Sequence, residues 1–345
     1  MVGLSAFFGV DRLGSAHTLP GYLETCGEAV TLPKRRLPGT AYFLSPVCDR
    51  KEFRLKPTGE TKAAFAFTLV ESAMKHGVDI IAVMQMSSHY HAVVYDRLGT
   101  LSDFLRDFHG LMGKLGSARD EVENTKFWSS EDSETVEIGD MDTLVGCVAY
   151  TLANPTKEFI VERPEMWMGV MTPVDALGSG FGKIYERPKR FFDPGGTTSE
   201  AVMLCSDYPW ELDELLPLAQ LKERVKARVE AYVAEAKAEV AAGRREFSGI
   251  EKAKKLSFWH SAERPVSGEV GRKAKPRKRV AAAREGRLQA MLEQMLAFRV
   301  AHRKAWRALS RGIRDVMFPA GTWMAWRIYG AQREVGVNET LEAPS

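Results

Sequence analysis

In the first half of the chain, apolar and polar positions alternate in patterns that divide it into segments, each about as long as a single strand or helix. Residues 40–47 are rich in β-forming side chains, which predicts a strand. Residues 62–76 carry apolar side chains at helical spacing and stop at Gly77, which predicts an amphipathic helix with a glycine C-cap. Residues 78–86 are almost continuously apolar and predict a buried strand, and residues 89–95 follow a Ser-Ser turn as its hairpin partner.

Two further helices complete this pattern. Residues 101–115 are amphipathic, and residues 143–153 are predicted to stop at Asn154 because Pro155 disfavours helix in the residue before it. The order is strand, helix, strand, strand, helix and, after an acidic connector at 120–142, another helix. We therefore expect an α+β fold, with an antiparallel sheet backed by helices, over residues 39–170.

The rest of the chain differs from this domain in composition. Residues 1–38 have no strong period and predict a loosely ordered leader, and residues 171–212, rich in Gly and Pro, predict an irregular connector. Residues 213–345 predict a mainly helical, basic C-terminal region with long helices at 215–242 and 284–316.

Charge is distributed unevenly along the chain. Residues 1–210 carry 21 Lys and Arg against 28 Asp and Glu, whereas the remaining residues carry 27 against 17. If the protein binds nucleic acid, much of the phosphate attraction would come from the C-terminal region. The alternative is that these cations only solvate long helices.

Other features exclude several classes of protein. No stretch approaches the roughly 20 apolar residues of a membrane span, and no basic residue precedes the short apolar run at the N-terminus. We therefore expect no membrane partner and no secretory signal. Cys26, Cys48, Cys147 and Cys205 lack CxxC spacing, which is typical of reduced cytoplasmic thiols.

Two pairs of residues carry candidate chemistry. His89 and His91 alternate along a predicted strand, so both imidazoles point to one face, where they could bind a divalent metal. Tyr150 and Asn154 stand four apart and therefore share one face at the end of a predicted helix. Taken singly, Tyr150 is better explained as a core tyrosine, Asn154 as a helix cap, and the histidines as structural side chains.

Taken together, these segments resemble a known family. MQMSSHYHAVVY resembles the MxNHxHLLV signature of HUH single-strand transposases, and AYTLANPTKEFIVERPEMW resembles the YxxxNPVRAGLVxxPEDW segment of REP-associated tyrosine transposases. Both motifs occur in the family order, and the resemblance covers roughly residues 38–170. It implies an HUH endonuclease domain with a ferredoxin-like, RRM-like core.

The resemblance also implies roles for particular residues. His89 and His91 would bind Mg²⁺ or Mn²⁺ with Asn154 as the third ligand, and Tyr150 would attack the scissile phosphate to leave a 5′-phosphotyrosine. The expected partner is single-stranded or hairpin DNA, and the expected location is the nucleoid in the cytoplasm. Ser88 replaces the usual asparagine, and the segment after Asn154 lacks the motif's Arg and Gly. A catalytically inactive or domesticated hairpin-binding regulator is therefore the main alternative.

Basic residues outside these motifs are candidates for DNA contact. They lie after the hairpin, in the connector and in the C-terminal run: Arg106, Lys114, Arg119, Lys183, Lys189, Arg190, Arg272, Lys273, Lys275, Arg277, Lys278 and Arg279. Such a run is also typical of a solvated linker. A replication nickase and an unrelated metal hydrolase are further alternatives. The sequence contains no GxxxxGK[ST] phosphate loop, which counts against a fused helicase. The long helices could form a homodimer, bind DNA, or both.

Overall fold

The structure is a computed structural model that describes residues 33–120, 126–129, 134–178, 182–188, 200–207, 216–261 and 279–335. Its strands are β1 (Thr40–Ser45), β2 (Val78–Gln85), β3 (Tyr90–Asp96), β4 (Glu134–Ile138), β5 (Lys183–Glu186), β6 (Ala201–Leu204), β7 (Val280–Ala281), β8 (Met317–Phe318) and β9 (Gln332–Arg333). Its helices are α1 (Gly59–His76), α2 (Leu101–Asp120), α3 (Met141–Lys157), α4 (Leu218–Ala241), α5 (Ile250–Lys255), α6 (Glu285–Ser310) and α7 (Met324–Tyr329).

A five-stranded sheet in the order β2-β3-β1-β4-β7 forms the centre of the fold. The first four strands are antiparallel neighbours, and β7 pairs with β4 in parallel. The elements from β1 to β4 run β-α-β-β-α-β, which is the ferredoxin-like order. The predicted α+β class is confirmed. The predicted antiparallel pairing is confirmed for the four strands within residues 39–170, and the C-terminal region adds β7 as a parallel edge strand that the sequence did not predict.

The two faces of the sheet are covered by different helices, and β1 shows how the sequence divides them. Tyr42 and Leu44 belong to the core formed with α1 and α2, whereas Ala41 and Phe43 belong to the core formed with α3 and α4. This alternation follows from the two-residue period of a strand. Because both faces are buried, β2 and β3 consist almost entirely of buried residues.

Helix α1 illustrates how local signals set an element's ends. It begins three residues earlier than the apolar pattern predicts, because the Thr58 side chain accepts a hydrogen bond from the Thr61 amide and so caps the helix at 3.1 Å. It ends at His76 as predicted, and Gly77 adopts the left-handed conformation with φ of 60°.

Helix α3 contradicts the prediction that the helix stops at Asn154. It continues through Asn154 and Pro155 to Lys157, and the Glu158 amide donates to the Asn154 carbonyl at 2.9 Å. Pro155 lies in the last turn of the helix, so only two helical residues follow it. The Asn154 side chain is also held by a contact with His89. Phe159 follows in the left-handed region with φ of 54°, at the position where the NPVRAGL motif has glycine.

The remaining segments pack on this core. Helix α4 lies against α3 through Leu221, Val225 and Val229, and the connector contains the antiparallel pair β5–β6. Residues 1–32 of the predicted leader lie outside the described residues, and at its end Arg35 and Arg36 are buried. Within the described ranges, no helix has both the length and the apolar character needed to cross a bilayer.

Candidate functional site

The two histidines lie side by side on the α3 face of the sheet. His89 pairs with Val47 in an isolated bridge just before β3, and His91 is the second residue of β3. Their ring centroids are 4.8 Å apart. Tyr90 between them points to the opposite face, where its ring meets Phe65 at 5.5 Å. The structure therefore has the shared face that the strand alternation predicts.

Helix α3 brings its own pair of side chains to the histidines. Nε2 of His89 lies 3.3 Å from Oδ1 of Asn154. The ring of Tyr150 meets the His91 ring edge-on at a centroid distance of 5.3 Å. Phe43 packs beneath both, stacked with His91 at 5.4 Å and edge-on to Tyr150 at 6.0 Å. All four candidate residues are thus in contact across a strand and a helix more than fifty residues apart in sequence.

The environment favours neutral imidazoles. Burial lowers the pKa of His89, an effect that Glu158 and the Asn154 hydrogen bond oppose and Lys51 reinforces. Burial also lowers the pKa of His91 to well below its usual value, and His89 adds to this. A neutral imidazole offers a ring nitrogen lone pair to a metal ion, whereas a protonated one does not.

The donor set fits a divalent cation. Nδ1 of His91 is buried and has no hydrogen-bond partner in the part of the chain that the structure describes. Oγ of Ser88 lies 3.2 Å from Nδ1 of His89, and a hydroxyl can donate to that nitrogen or accept from it. Ser88 can therefore support the tautomer with the proton on Nδ1, in which Nε2 of His89, 3.3 Å from Oδ1 of Asn154, offers a lone pair to a metal instead of donating to that oxygen.

The part of the chain that the structure describes has no carboxylate-rich metal site at this position. Among the described residues, no group of three or more His, Cys, Asp and Glu side chains is arranged to hold a metal ion. The donors that lie together here are the two imidazoles and the amide of Asn154. Nitrogen and neutral oxygen donors of this kind suit several divalent ions.

Tyr150 is enclosed, with only 8% of its surface exposed. Burial raises the pKa of its hydroxyl, and Glu158, Tyr232 and Glu134 raise it further. The Nζ of Lys157 lies 5.5 Å from the Tyr150 ring centroid and 3.9 Å from that of Tyr232. The Lys157 ammonium therefore lies over both tyrosine rings.

Three residues of this environment were missed by sequence reasoning. Lys157 and Glu158 follow the Asn-Pro pair after Thr156, and Glu158 is four residues after Asn154, so helical spacing could have indicated it. Tyr232 comes from α4, and its segment has no signal that links it to the histidines.

The predicted DNA-binding residues that the structure describes are not gathered at this site. Arg106 and Lys114 lie on α2, which covers the other face of the sheet, and Arg106 pairs with Asp103 at 2.8 Å. Arg119 donates to the Arg54 carbonyl at 3.0 Å and lies 3.8 Å from the Phe258 ring centroid. Lys183 is exposed on β5, and Arg279 precedes β7. The following predicted residues lie outside the described residues: Lys189, Arg190, Arg272, Lys273, Lys275, Arg277 and Lys278.

Comparison with known proteins finds similarity among solved structures. No protein-family model and no curated protein matches the chain. Among solved structures, a REP-associated tyrosine transposase bound to a REP hairpin is similar at 15% identity. The alignment covers 52% of this chain and 100% of that chain, with a TM-score of 0.34. These values show a distant structural relationship and no more.

Proposed function

We propose that this protein nicks and rejoins single-stranded DNA at hairpin-flanked sites, with Tyr150 as the nucleophile and a divalent metal held by His89, His91 and Asn154. The observation that carries the proposal is the contact between the two pairs: Nε2 of His89 is 3.3 Å from Asn154, and the His91 ring meets Tyr150. The two motifs that resemble HUH transposases contain these same four residues.

Each side chain of the site has its own role in the proposed reaction. Mg²⁺ or Mn²⁺, when bound, would polarise a phosphoryl oxygen and orient the phosphate for in-line displacement. Ser88 would hold the His89 ring, and Phe43 would fix the His91 ring by stacking. Lys157 would supply positive charge beside the Tyr150 ring, where negative charge develops as the hydroxyl loses its proton.

The covalent step replaces one phosphodiester linkage with another. The Tyr150 oxygen forms a bond to phosphorus, the bond from phosphorus to the 3′-oxygen breaks, and the phenol proton ends on the released 3′-hydroxyl. A second 3′-hydroxyl then attacks the phosphotyrosine and restores Tyr150. Because one phosphodiester is exchanged for another, joining needs no nucleotide cofactor.

A second candidate is a hairpin-binding regulator without catalysis. The observation in its favour is the burial of Tyr150, whose hydroxyl has a raised pKa and little access to a strand. In this reading Tyr150 is a core side chain, and the histidines keep the hairpin of β2 and β3 in place.

The formation of a covalent protein–DNA adduct distinguishes the two candidates. Purified protein is incubated with Mn²⁺ and labelled single-stranded hairpin DNA from the flanks of its own gene, and adducts are resolved on denaturing gels. Tyr150→Phe and the double variant His89→Ala/His91→Ala remove the proposed nucleophile and metal ligands. Tyr232→Phe is a matched control, because Tyr232 is a second tyrosine against the same lysine.

We expect a metal-dependent adduct in the wild type and in Tyr232→Phe, and none in Tyr150→Phe or the histidine variant. Loss in Tyr232→Phe with retention in Tyr150→Phe would assign the nucleophile to the other helix. If the hairpin binds equally to all variants and no adduct forms in any of them, the regulator is the correct account.

A further inference from the structure

A segment of the C-terminal region wraps around the end of the sheet at which the two histidines lie. It begins beside the end of α3, where the Ser248 amide donates to the Phe159 carbonyl at 2.8 Å. It contains α5 and ends against the loop between β1 and α1, where the Phe53 amide donates to the His260 carbonyl at 2.9 Å. We call residues 248–261 the wrapping segment. It connects the end of helix α3 to the loop beside the histidines.

The loop that the wrapping segment meets, residues 48–56, borders the candidate site. The Cys48 amide donates to the Ser88 carbonyl at 2.8 Å, directly before the first histidine. Burial is the main cause of the lowered pKa of His89, and the Lys51 ammonium lowers that pKa further. A charge perturbs an imidazole in this way at short range. The Lys51 ammonium therefore lies close to the proposed metal ligands.

Two aromatic side chains of the wrapping segment lie against arginine guanidinium groups. The guanidinium carbon of Arg54 is 4.8 Å from the ring centroid of Trp259, and that of Arg119 is 3.8 Å from the ring centroid of Phe258. Contacts of this kind favour one orientation of the ring. Arg54 is only 1% exposed and is fixed by the core, whereas Trp259 keeps 44% of its surface exposed. Trp259 is thus an indole held from one side and open to solvent.

The loop carries two cations on an unfavourable backbone conformation. Arg50 and Lys51 have φ of 51° and 58°, in the left-handed region that residues with a Cβ rarely adopt. The Ser261 hydroxyl donates to the Arg50 carbonyl at 2.6 Å, and the Asp49 amide donates to the Phe127 carbonyl at 2.9 Å, so both neighbouring segments hold this turn. The Arg50 side chain is 80% exposed. Such strain is concentrated at binding and catalytic sites, which points to a role for these cations beyond the fold.

Cations outnumber carboxylates along this surface. Residues 48–56 contain four Lys and Arg against two Asp and Glu, and the wrapping segment contains three against one. Some of these cations are paired, since Arg50 lies 3.8 Å from Asp49 and Lys254 lies 2.7 Å from Glu251. Ion pairs between such exposed side chains are weak, so a phosphate competes with the carboxylate for the cation. The surface therefore attracts an anionic partner even with its pairs formed.

We propose that this loop and the wrapping segment form a binding surface for single-stranded DNA, in which one base stacks on Trp259 and the adjoining phosphates contact Arg50 and Lys51. An unpaired base has a π-face that stacks on an exposed indole, and nearby cations attract the backbone. An acidic peptide would use the cations but not the indole face. The surface supports a single-stranded nucleic acid, whereas its assignment to the DNA strand processed at Tyr150 rests on the proposed function.

The surface lies beside the candidate site and not within it. The loop adjoins Ser88, and the wrapping segment begins at the end of α3, so a strand stacked on Trp259 would continue toward Tyr150. The stacked nucleotide is therefore a neighbour of the scissile phosphate. For this reason, binding at the surface is measured separately from the chemistry.

The test measures the binding of a labelled oligothymidine, which forms no hairpin, by fluorescence anisotropy over a range of salt. All proteins carry Tyr150→Phe, so that no covalent adduct contributes. Trp259→Leu removes the aromatic face but keeps an apolar side chain against Arg54, and Trp259→Phe keeps a ring. Trp326→Leu is the matched control, because Trp326 is also exposed and lies 4.0 Å from a guanidinium, that of Arg333.

Stacking and phosphate contact give different signatures. Trp259→Leu should weaken binding by at least about fivefold with an unchanged slope of log affinity against log salt, whereas Trp259→Phe and Trp326→Leu should bind like the parent. Arg50→Gln should lower that slope by about 0.7, and Arg307→Gln, at an exposed position of α6, should not. Binding should also quench tryptophan fluorescence in the parent but not in Trp259→Phe, which keeps the test decisive if Trp259→Leu does not fold.

Three results would overturn the inference. If Trp259→Leu and Trp326→Leu bind equally well, or if quenching persists in Trp259→Phe, no base stacks on Trp259. If Arg50→Gln leaves the salt slope unchanged, the loop does not contact phosphate. If a duplex binds as tightly as the oligothymidine and depends equally on Trp259, the surface does not select single strands.

Failure of this inference is distinguishable from failure of the proposed function. Because no adduct is measured, a protein that never forms a phosphotyrosine would still show the effects of Trp259→Leu and Arg50→Gln. A wild-type protein that forms the adduct, together with full binding by Trp259→Leu, would refute the binding surface alone.

Discussion

Asp140 connects the helix of the candidate site to the C-terminal region, and its removal is a sharp test of the fold. Its Oδ1 accepts the Thr143 amide at 2.8 Å and so caps α3. Its Oδ2 accepts the amides of Ala283 at 2.6 Å and Arg284 at 3.0 Å, immediately before α6. One carboxylate thus accepts hydrogen bonds from backbone amides at the start of α3 and just before α6, which are distant in sequence.

The magnitude follows from these three hydrogen bonds. Loss of an N-cap costs about 1 kcal/mol, and each further hydrogen bond contributes about 0.5 to 1.5 kcal/mol net. Asp140→Ala should therefore lower the free energy of unfolding by roughly 2 to 4 kcal/mol. Thr58→Ala removes a single cap from α1 and should cost only about 1 kcal/mol.

The same carboxylate should make stability depend on pH. Burial alone would raise the pKa of Asp140, but the amide hydrogen bonds from Arg284, Thr143 and Ala283 outweigh it and lower the pKa below its usual value. A depressed folded-state pKa contributes stability above the unfolded value of about 3.9, and this contribution is lost as the pH falls through the folded-state value. The difference between wild type and Asp140→Asn should therefore shrink below about pH 4.

Urea unfolding gives the free energies, and hydrogen exchange by mass spectrometry locates the effect. Asp140→Ala should increase exchange in the peptides that contain Thr143 and in those that contain Ala283 and Arg284. The reasoning is refuted if Asp140→Ala destabilises no more than Thr58→Ala, or if exchange rises at the start of α3 alone.

Two further predictions concern the candidate site. Because burial lowers the pKa of His89 and His91, the affinity for Mn²⁺, measured by calorimetry, should stay nearly constant from pH 7 to 6. Two histidines with the usual pKa would lose about tenfold in Mn²⁺ affinity over the same range. A tenfold loss would contradict this. Lys157→Met should slow adduct formation by roughly tenfold, since it removes the ammonium that lies 5.5 Å from the Tyr150 ring. Lys226→Met, on the exposed face of α4, is the control, and equal rates in both variants would exclude the role.

The sequence predicts those parts of the fold in which local pattern and burial agree. The continuous apolar run of β2, the period of α1 and the glycine after His76 are local features, and the structure has all of them. The histidine pair and the pair Tyr150 and Asn154 were found because strand and helix periods each fix which residues share a face.

The remaining features depend on contacts that no local pattern contains. Asn154 stays helical before a proline because a side chain 65 residues away lies against it. Tyr232 reaches the site because α4 packs on α3, and Arg35 is buried because Glu137, 102 residues later, pairs with it. Tertiary packing of this kind overrides local preference, and a single sequence does not encode it in any readable period.

The parallel pairing of β7 with β4 has a consequence for the order of folding. The paired residues Glu137 and Val280 are about 140 positions apart, so this contact closes late relative to the hairpin of β2 and β3. At a synthesis rate of about 5 to 20 residues per second, the nascent chain waits roughly 7 to 30 s before β7 emerges. During that interval the β4 edge is open to other chains. Its five-residue length and its glutamates at 134 and 137 are features that limit such pairing.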